Sequence, residues 1–207
     1  MANKVSKEQF RDLVMKLAFR RGDFTLSSGE KSSYYIDIKN LSLHPSGAMA
    51  IGELAAQVVA LENYSGVGGP TLGADPLATS ISLAAYHKNI ILPAFIIRKE
   101  PKGYGRKKWI EGEENLRKPG PLLLLEDVVT TGSSAIKAIQ IVRGEGYVVD
   151  TVLSVLDRSQ LNDTVNEAGK YSERHSTAQK RFAEQGVRLV SLLHINDLRE
   201  CYPAEFL

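Results

Sequence analysis

The spacing of apolar residues changes character along this chain, and the changes mark out its elements. Over 6–21, Phe10, Leu13, Val14 and Leu17 recur at intervals of three and four, and Ser6 and Gln9 have capping-box spacing. That pattern predicts an amphipathic helix stopping before Gly22. The stretch "YYIDIKN" (34–40) predicts a short strand reached through the turn-rich "LSSGEKSS", and "HPSGAMAIGELAAQVVALEN" (44–63) predicts a second helix. From position 65 the alternation is regular. "GVGG" precedes a helix over 76–87, "ILPAFIIRK" precedes a loop, and "PLLLLEDVV" precedes a helix over 133–143. "YVVDTVLSVLDR" follows, and a helix over 172–185 leads into "VRLVSLLHI". Continuous apolar runs separated by helices predict an α/β fold whose mostly parallel sheet is covered on both faces.

Two segments break the scheme. The stretch 99–120, "KEPKGYGRKKWIEGEENLRKPG", is basic, carries glycines and has little apolar content. Connections longer than about 12–15 residues without regular structure are usually functional lids or disorder. "SQLNDTVNEAGKY" (159–171) has scattered charges and reads as a solvated surface loop.

Composition narrows the classes available. At 207 residues, 43% of them hydrophobic, the chain suits one domain with a sizeable core. Its 26 basic and 24 acidic side chains nearly cancel, so bulk charge offers no surface for nucleic acid, and any phosphate chemistry must come from local placement. Nowhere do about 18 apolar residues follow one another, so no membrane partner is expected and the chain reads as cytoplasmic. Cys201 stands alone, which leaves no internal disulfide and no thiolate pair for a metal. His44, His87, His175 and His194 have no metal-ligand spacing among them and read as structural or solvated.

The chemistry concentrates in "LLLLEDVVTTGSS" (122–134). In a parallel α/β sheet ligands bind at the carboxyl ends of the strands. Four buried leucines would therefore hold Glu126 and Asp127 rigidly at the ligand-facing edge. Adjacent residues on an extended chain point to opposite sides, which suits this pair to gripping separate hydroxyls better than to sharing one proton. Beyond them "TTGSSA" crosses from strand to helix. Gly132 permits the tight turn, free backbone N–H groups favour an anion, and the hydroxyls of Thr130, Thr131, Ser133 and Ser134 add donors. The loop lacks the Gly-Lys-Ser/Thr ending of a Walker loop and the GxGxxG fingerprint. Acids for hydroxyls beside a phosphate cradle point to a phosphorylated sugar.

These residues resemble the phosphoribosyl pyrophosphate motif of the type I phosphoribosyltransferases. "FTLSSGEKSSYYIDIKN", "VGGPTLGADPLATSI", "FIIRKEPKGYG" and "LDRS" follow the order and approximate spacing of the orotate phosphoribosyltransferases, over about 24–158. The resemblance implies one domain over 1–207, with a hood mainly from about 1–43 and a core from about 44–207. It implies transfer of ribose 5-phosphate from phosphoribosyl pyrophosphate to N1 of orotate. Glu126, Asp127, Val128, Val129, Thr130, Thr131, Gly132, Ser133 and Ser134 would hold the ribose phosphate, and Gly68, Gly69, Thr71 and Gly73 would form the pyrophosphate loop. Arg98, Lys99, Lys102 and Tyr104 match a loop, 98–110, that acts in the neighbouring subunit's site, so a homodimer is implied. Lys99, Lys102 and Asp127 are the candidates for catalysis. Tyr34 and Tyr35 would face the base, Thr130 would also touch it, and Arg158 would meet the orotate carboxylate. Magnesium (Mg2+) would be the cofactor, held mainly by substrate and waters, near Glu126 and Asp127.

The chain departs from the family pattern at several positions. Glu126 stands where many members have aspartate, and Tyr104 where many have histidine. Ser27 replaces a frequent lysine, and Leu72 and Gly73 replace a frequent tyrosine-lysine pair, so phosphate-directed cations are missing unless others such as Arg106 and Lys107 compensate. A phosphoribosyltransferase for another base is the rival in the same class. A non-catalytic regulator of the same fold, sensing phosphoribosyl pyrophosphate, is the rival in another.

Overall fold

The computed structural model describes residues 4–25, 31–101, 108–116, 120–159, 161–165 and 171–199. The chain opens with helix α1 (Lys7–Leu17), whose start is fixed reciprocally. Ser6 Oγ accepts the Gln9 N–H at 3.2 Å, and Gln9 Oε1 accepts the Ser6 N–H at 2.9 Å. Its inward residues Phe10 and Val14 are fully buried. The helix ends four residues before the expected boundary. Phe19 instead begins β1 (Phe19–Thr25), which pairs antiparallel with β2 (Lys31–Ile36), placing Phe19 opposite Ile36 and Arg21 opposite Tyr34. Arg20 and Arg21 offer a further helical turn nothing to bury, whereas the ladder satisfies their backbone.

The strand expected through position 40 likewise stops early. Asp37 accepts the Lys39 N–H at 3.0 Å and caps a short helix, α2 (Ile38–Ser42). Then follow α3 (Pro45–Val58), β3 (Gly66–Pro70), α4 (Ala74–Tyr86), β4 (Ala94–Ile97) and β5 (Ile110–Glu111). The second half comprises β6 (Pro121–Val129), α5 (Ser133–Gly144), β7 (Val148–Asp157), β8 (Leu161–Val165), β9 (Tyr171–Ser176), α6 (Thr177–Ala183), β10 (Arg188–His194) and α7 (Ile195–Arg199).

A six-stranded sheet of order β10-β7-β6-β3-β4-β5 organises the molecule, with every pairing parallel except that of β4 with β5. Its central strand β6 explains the leucine run. Leu123 and Leu125 join one core cluster with residues of α1, α3 and α4, while Leu122 and Leu124 join a second with residues of α5 and α6. Both faces are covered, so no position on the strand can be polar until its carboxyl end.

Two loop expectations are corrected. The segment 99–120 contains β5, which returns beside β4 with Ile97 opposite Ile110. The polar stretch 159–171 contributes β8 to a hairpin with β9, and the helix expected from 172 begins only at Thr177. Backbone pairing needs no apolar side chain, so periodicity carried no signal there. The helix expected to reach position 63 also ends at Val58.

Candidate active site

After β3 the chain turns outward to β4, whereas β6 adds to the opposite side of β3. The carboxyl ends of β3 and β6 therefore flank a topological switch point, where a crevice opens in sheets of this kind. The loops leaving these two strands are the glycine-rich segment 68–73 and the hydroxyl-rich segment 130–134.

The β3 side is shaped by what its glycines lack. A Cβ on Gly69 would collide with the carbonyl oxygen of Leu125, and one on Gly73 would lie 2.6 Å from the Asp127 carboxyl carbon. Thr71 Oγ1 donates to Asp75 Oδ2 at 2.6 Å and the Thr71 N–H donates to Ile97 O at 3.1 Å, anchoring the loop to α4 and β4. The Thr71–Leu72 peptide bond is cis.

On the β6 side, Val129 is buried, and its carbonyl accepts the Arg158 N–H at 2.7 Å, tying the strand's end to that of β7. Val128 is half-buried, and its N–H donates to Asp127 Oδ1 at 2.9 Å. Thr130, Thr131, Ser133 and Ser134 are exposed. Gly132 begins α5 at φ 73°, with the Phe182 ring 3.0 Å from where a Cβ would stand, so the turn excludes a side chain on both counts. Gly132 offers no side-chain cap, and the Ser133 N–H donates to Thr131 Oγ1 at 3.4 Å, so an anion at the start of α5 would meet the N–H groups that follow. Thr131 and Ser133 hydroxyls lie 3.0 Å apart, and Arg181 of α6 reaches the Thr131 carbonyl and the Ser133 hydroxyl.

The acidic pair near the end of β6 lies on opposite strand faces, as the sequence predicts. Glu126 continues the strand face of Leu122 and Leu124, and Asp127 that of Leu123 and Leu125, yet the two remain electrostatically coupled. Burial pushes the Glu126 carboxyl up to about 8, the Asp127 charge adds to that, and a hydrogen bond with Ser134 opposes it. Glu126 Oε2 is buried without a hydrogen-bond partner among the described residues. Burial at the strand end and the neighbouring Asp127 therefore both oppose a charge on Glu126. Lys39 brings its ammonium to 3.8 Å from Asp127 Oδ2 and 2.9 Å from Asp37 Oδ1. The hydrogen bond with Asp37 raises its pKa.

Tyr34 and Tyr35 diverge, as successive strand residues must. Tyr34 stacks on Phe19 at 5.7 Å between centroids and 19° between planes, and the Arg158 guanidinium carbon lies 6.0 Å from the Tyr34 centroid. Tyr35 is 42% exposed and tilted against Phe24. The turn that carries Arg158 is fixed by the residues around it. Buried Asp157 accepts from the Ser159 N–H at 2.8 Å and hydroxyl at 2.6 Å, and the His194 ring nitrogen lies 3.0 Å from the Ser159 carbonyl.

Arg98 is engaged at the base of the basic loop. It contacts Glu111 at 2.8 Å, and its backbone N–H donates to Trp109 O at 2.9 Å. Lys99, the next residue, is exposed. Lys102, Tyr104, Arg106 and Lys107 lie outside the described residues, as do Ser27 and Cys201. Among the described residues no group of three or more His, Cys, Asp or Glu is placed to hold a metal ion. No helix among them is long and apolar enough to cross a membrane.

Sequence reasoning missed Lys39, Asp157 and Arg181. The "DIKN" capping signal was available for Lys39, whereas Arg181 reaches the loop only through tertiary packing.

No protein-family model matches the chain. Among curated proteins it is 49% identical over 154 residues to an orotate phosphoribosyltransferase of Nostoc sp., covering 74% of each. Among solved structures it resembles the Mycobacterium tuberculosis orotate phosphoribosyltransferase in complex with Fe(III) dicitrate, with a TM-score of 0.75, 35% identity and coverage of 93% and 98%. The same mycobacterial enzyme solved with phosphoribosyl pyrophosphate aligns at a TM-score of 0.68 with 32% identity, over 93% of this chain and 98% of that one. With its α/β architecture, its switch-point crevice and relatives at this identity over most of its length, the chain belongs to the orotate phosphoribosyltransferase family.

Proposed function

We propose that the chain transfers ribose 5-phosphate from phosphoribosyl pyrophosphate to N1 of orotate, releasing pyrophosphate and giving orotidine 5′-monophosphate for pyrimidine synthesis. The observation that carries this reading is the switch-point crevice, where the acidic end of β6 and the open start of α5 face the glycine-rich loop after β3. The bond from C1′ to the pyrophosphate oxygen breaks as the bond to N1 forms, so the ribose gains positive character while the leaving group gains negative charge. Asp127 holds ribose hydroxyls. The N–H groups at 130–134 and their hydroxyls take the 5′-phosphate, and the backbone near Gly69, Thr71 and Gly73 takes the pyrophosphate. Lys99 and Lys102 neutralise the leaving group. Arg158, held over Tyr34, meets the orotate carboxylate, and the Tyr34 ring beside it faces the flat base.

Magnesium belongs to the same proposal. The unpartnered Oε2 of Glu126 beside Asp127 fits an ion's bound waters. When bound, it neutralises charge on the pyrophosphate. The proposal also includes a homodimer in which the loop 98–110 enters the neighbouring site. Supporting it, Leu43, Met49, Leu83 and Tyr86 expose large apolar surfaces on and beside α3 and α4. A substrate bearing this much charge does not cross a bilayer unaided, which accords with a cytoplasmic enzyme.

The test is the absorbance decrease as orotate is consumed with phosphoribosyl pyrophosphate and magnesium, with uracil and adenine as parallel acceptors. Loss of orotate that needs both other components is expected. Turnover of uracil or adenine but not orotate would overturn the choice of base.

A further inference from the structure

We propose that Lys39 is a substrate-binding residue whose ammonium, still bonded to Asp37, turns from Asp127 to contact the pyrophosphate group of phosphoribosyl pyrophosphate. This rests on the function proposed above and adds a residue to it. Among the described residues Lys39 alone brings a side-chain cation this close to the acidic pair, 3.8 Å from Asp127 Oδ2. Gly73 abuts the same carboxylate, since a side chain there would lie 2.7 Å from Oδ2. Asp127 is thus approached both by a glycine of the pyrophosphate loop and by a lysine of α2.

Three other cations described near the crevice are committed elsewhere. Arg98 is paired with Glu111, Arg158 lies over Tyr34, and Arg181 is bonded to the Thr131 carbonyl. Lys39 is held but not buried. Its side chain is 43% exposed, and the contact to Asp127 is longer than a hydrogen bond, so an arriving phosphate oxygen competes for it directly. The bond to Asp37 Oδ1 at 2.9 Å anchors the ammonium at the start of α2, limiting the rotamer freedom it loses on contact. Its raised pKa keeps it charged through neutral pH. An ammonium there would neutralise Asp127 in the free protein and the departing pyrophosphate during turnover, the task that position 73 leaves without a side chain.

The test uses wild type, Lys39→Met and Lys39→Arg. Steady-state rates are measured with each substrate varied in turn, alongside calorimetric titration with inorganic pyrophosphate and magnesium. Loss of one charge-assisted contact predicts a KM for phosphoribosyl pyrophosphate raised about 10–100-fold in Lys39→Met, with pyrophosphate binding weakened similarly, KM for orotate within about twofold, and substantial rescue by arginine. Unchanged pyrophosphate affinity in a folded Lys39→Met protein would overturn the proposal, as would equal losses for both substrates. Thermal unfolding with and without pyrophosphate separates a mere latch. A variant that is less stable when free, yet shows the wild-type shift on adding pyrophosphate, also refutes it. Failure of the wild type to use orotate would strike the function instead, and the pyrophosphate titration would still judge Lys39.

Discussion

Replacing Glu126 with glutamine is expected to stabilise the ligand-free protein and to flatten the dependence of its stability on pH. Burial at the end of β6, reinforced by Asp127, pushes this carboxyl up from 4.5 to about 8. The folded value lies above the unfolded one, so the associated stability is full below pH 4.5 and is lost as pH rises toward about 8. Each pH unit between the two values corresponds to about 1.4 kcal/mol, which bounds the loss at about 5 kcal/mol above that range and about 3 kcal/mol at neutral pH. Water entering the crevice reduces this, leaving about 1–3 kcal/mol as the expected gain from Glu126→Gln at neutral pH. Glutamine has the shape of the protonated acid, needs no charge, and can donate to Asp127 while accepting from Ser134. For a chain of this size the gain corresponds to a Tm rise of about 2–10 °C. The assay is thermal or denaturant unfolding of both proteins without ligand, from about pH 5 to about pH 9. Curves that stay parallel across the range would show that Glu126 is charged in the free protein and would refute the reasoning.

Asp127→Asn preserves size and removes the charge proposed to grip ribose, so kcat/KM should fall about 10–100-fold while unfolding curves stay close to wild type; full activity would remove Asp127 from the site. If the loop 98–110 acts across a dimer, mixing Lys102→Ala chains with Asp127→Asn chains should restore activity toward about one quarter of wild type through hybrid sites, measured by orotate consumption. No recovery would argue against sharing. Gly132→Ala places a Cβ at φ 73° and 3.0 Å from the Phe182 ring. It should cost about 1–3 kcal/mol in denaturant unfolding and weaken binding of ribose 5-phosphate.

The parts most legible in the sequence were those where local chemistry and tertiary context agree. The run 121–129 announced β6 because a turn bounds it on each side and all four leucines are buried. The capping box announced the start of α1 because both of its bonds are local. The end of α1 was not legible, since Phe19 leaves the helix to meet Ile36, a partner 17 residues away. The hairpin of β8 and β9 was hidden by its polarity, and β5 by its shortness. Within the site, the residues of the two strand-end loops could be read from their types, because glycines and hydroxyls are selected by the turn itself. The coupling of Glu126 to Asp127 could not, because it depends on how dry the strand end is once α5 packs against it. Lys39 went unnoticed because the apolar rhythm of 34–40 conceals the cap at Asp37 that ends the strand.

The pairing of β4 with β5 has a consequence for the basic loop that springs from it. The bond from the Arg98 N–H to Trp109 O and the ion pair of Arg98 with Glu111 fasten both ends of the intervening segment to the sheet. The entropy of bringing those ends together is therefore met once, during folding, and is not charged again to each substrate encounter. The tether also keeps Lys99, the residue after Arg98, beside the end of β4, so its position is set by the sheet and not by the composition of the residues that follow it.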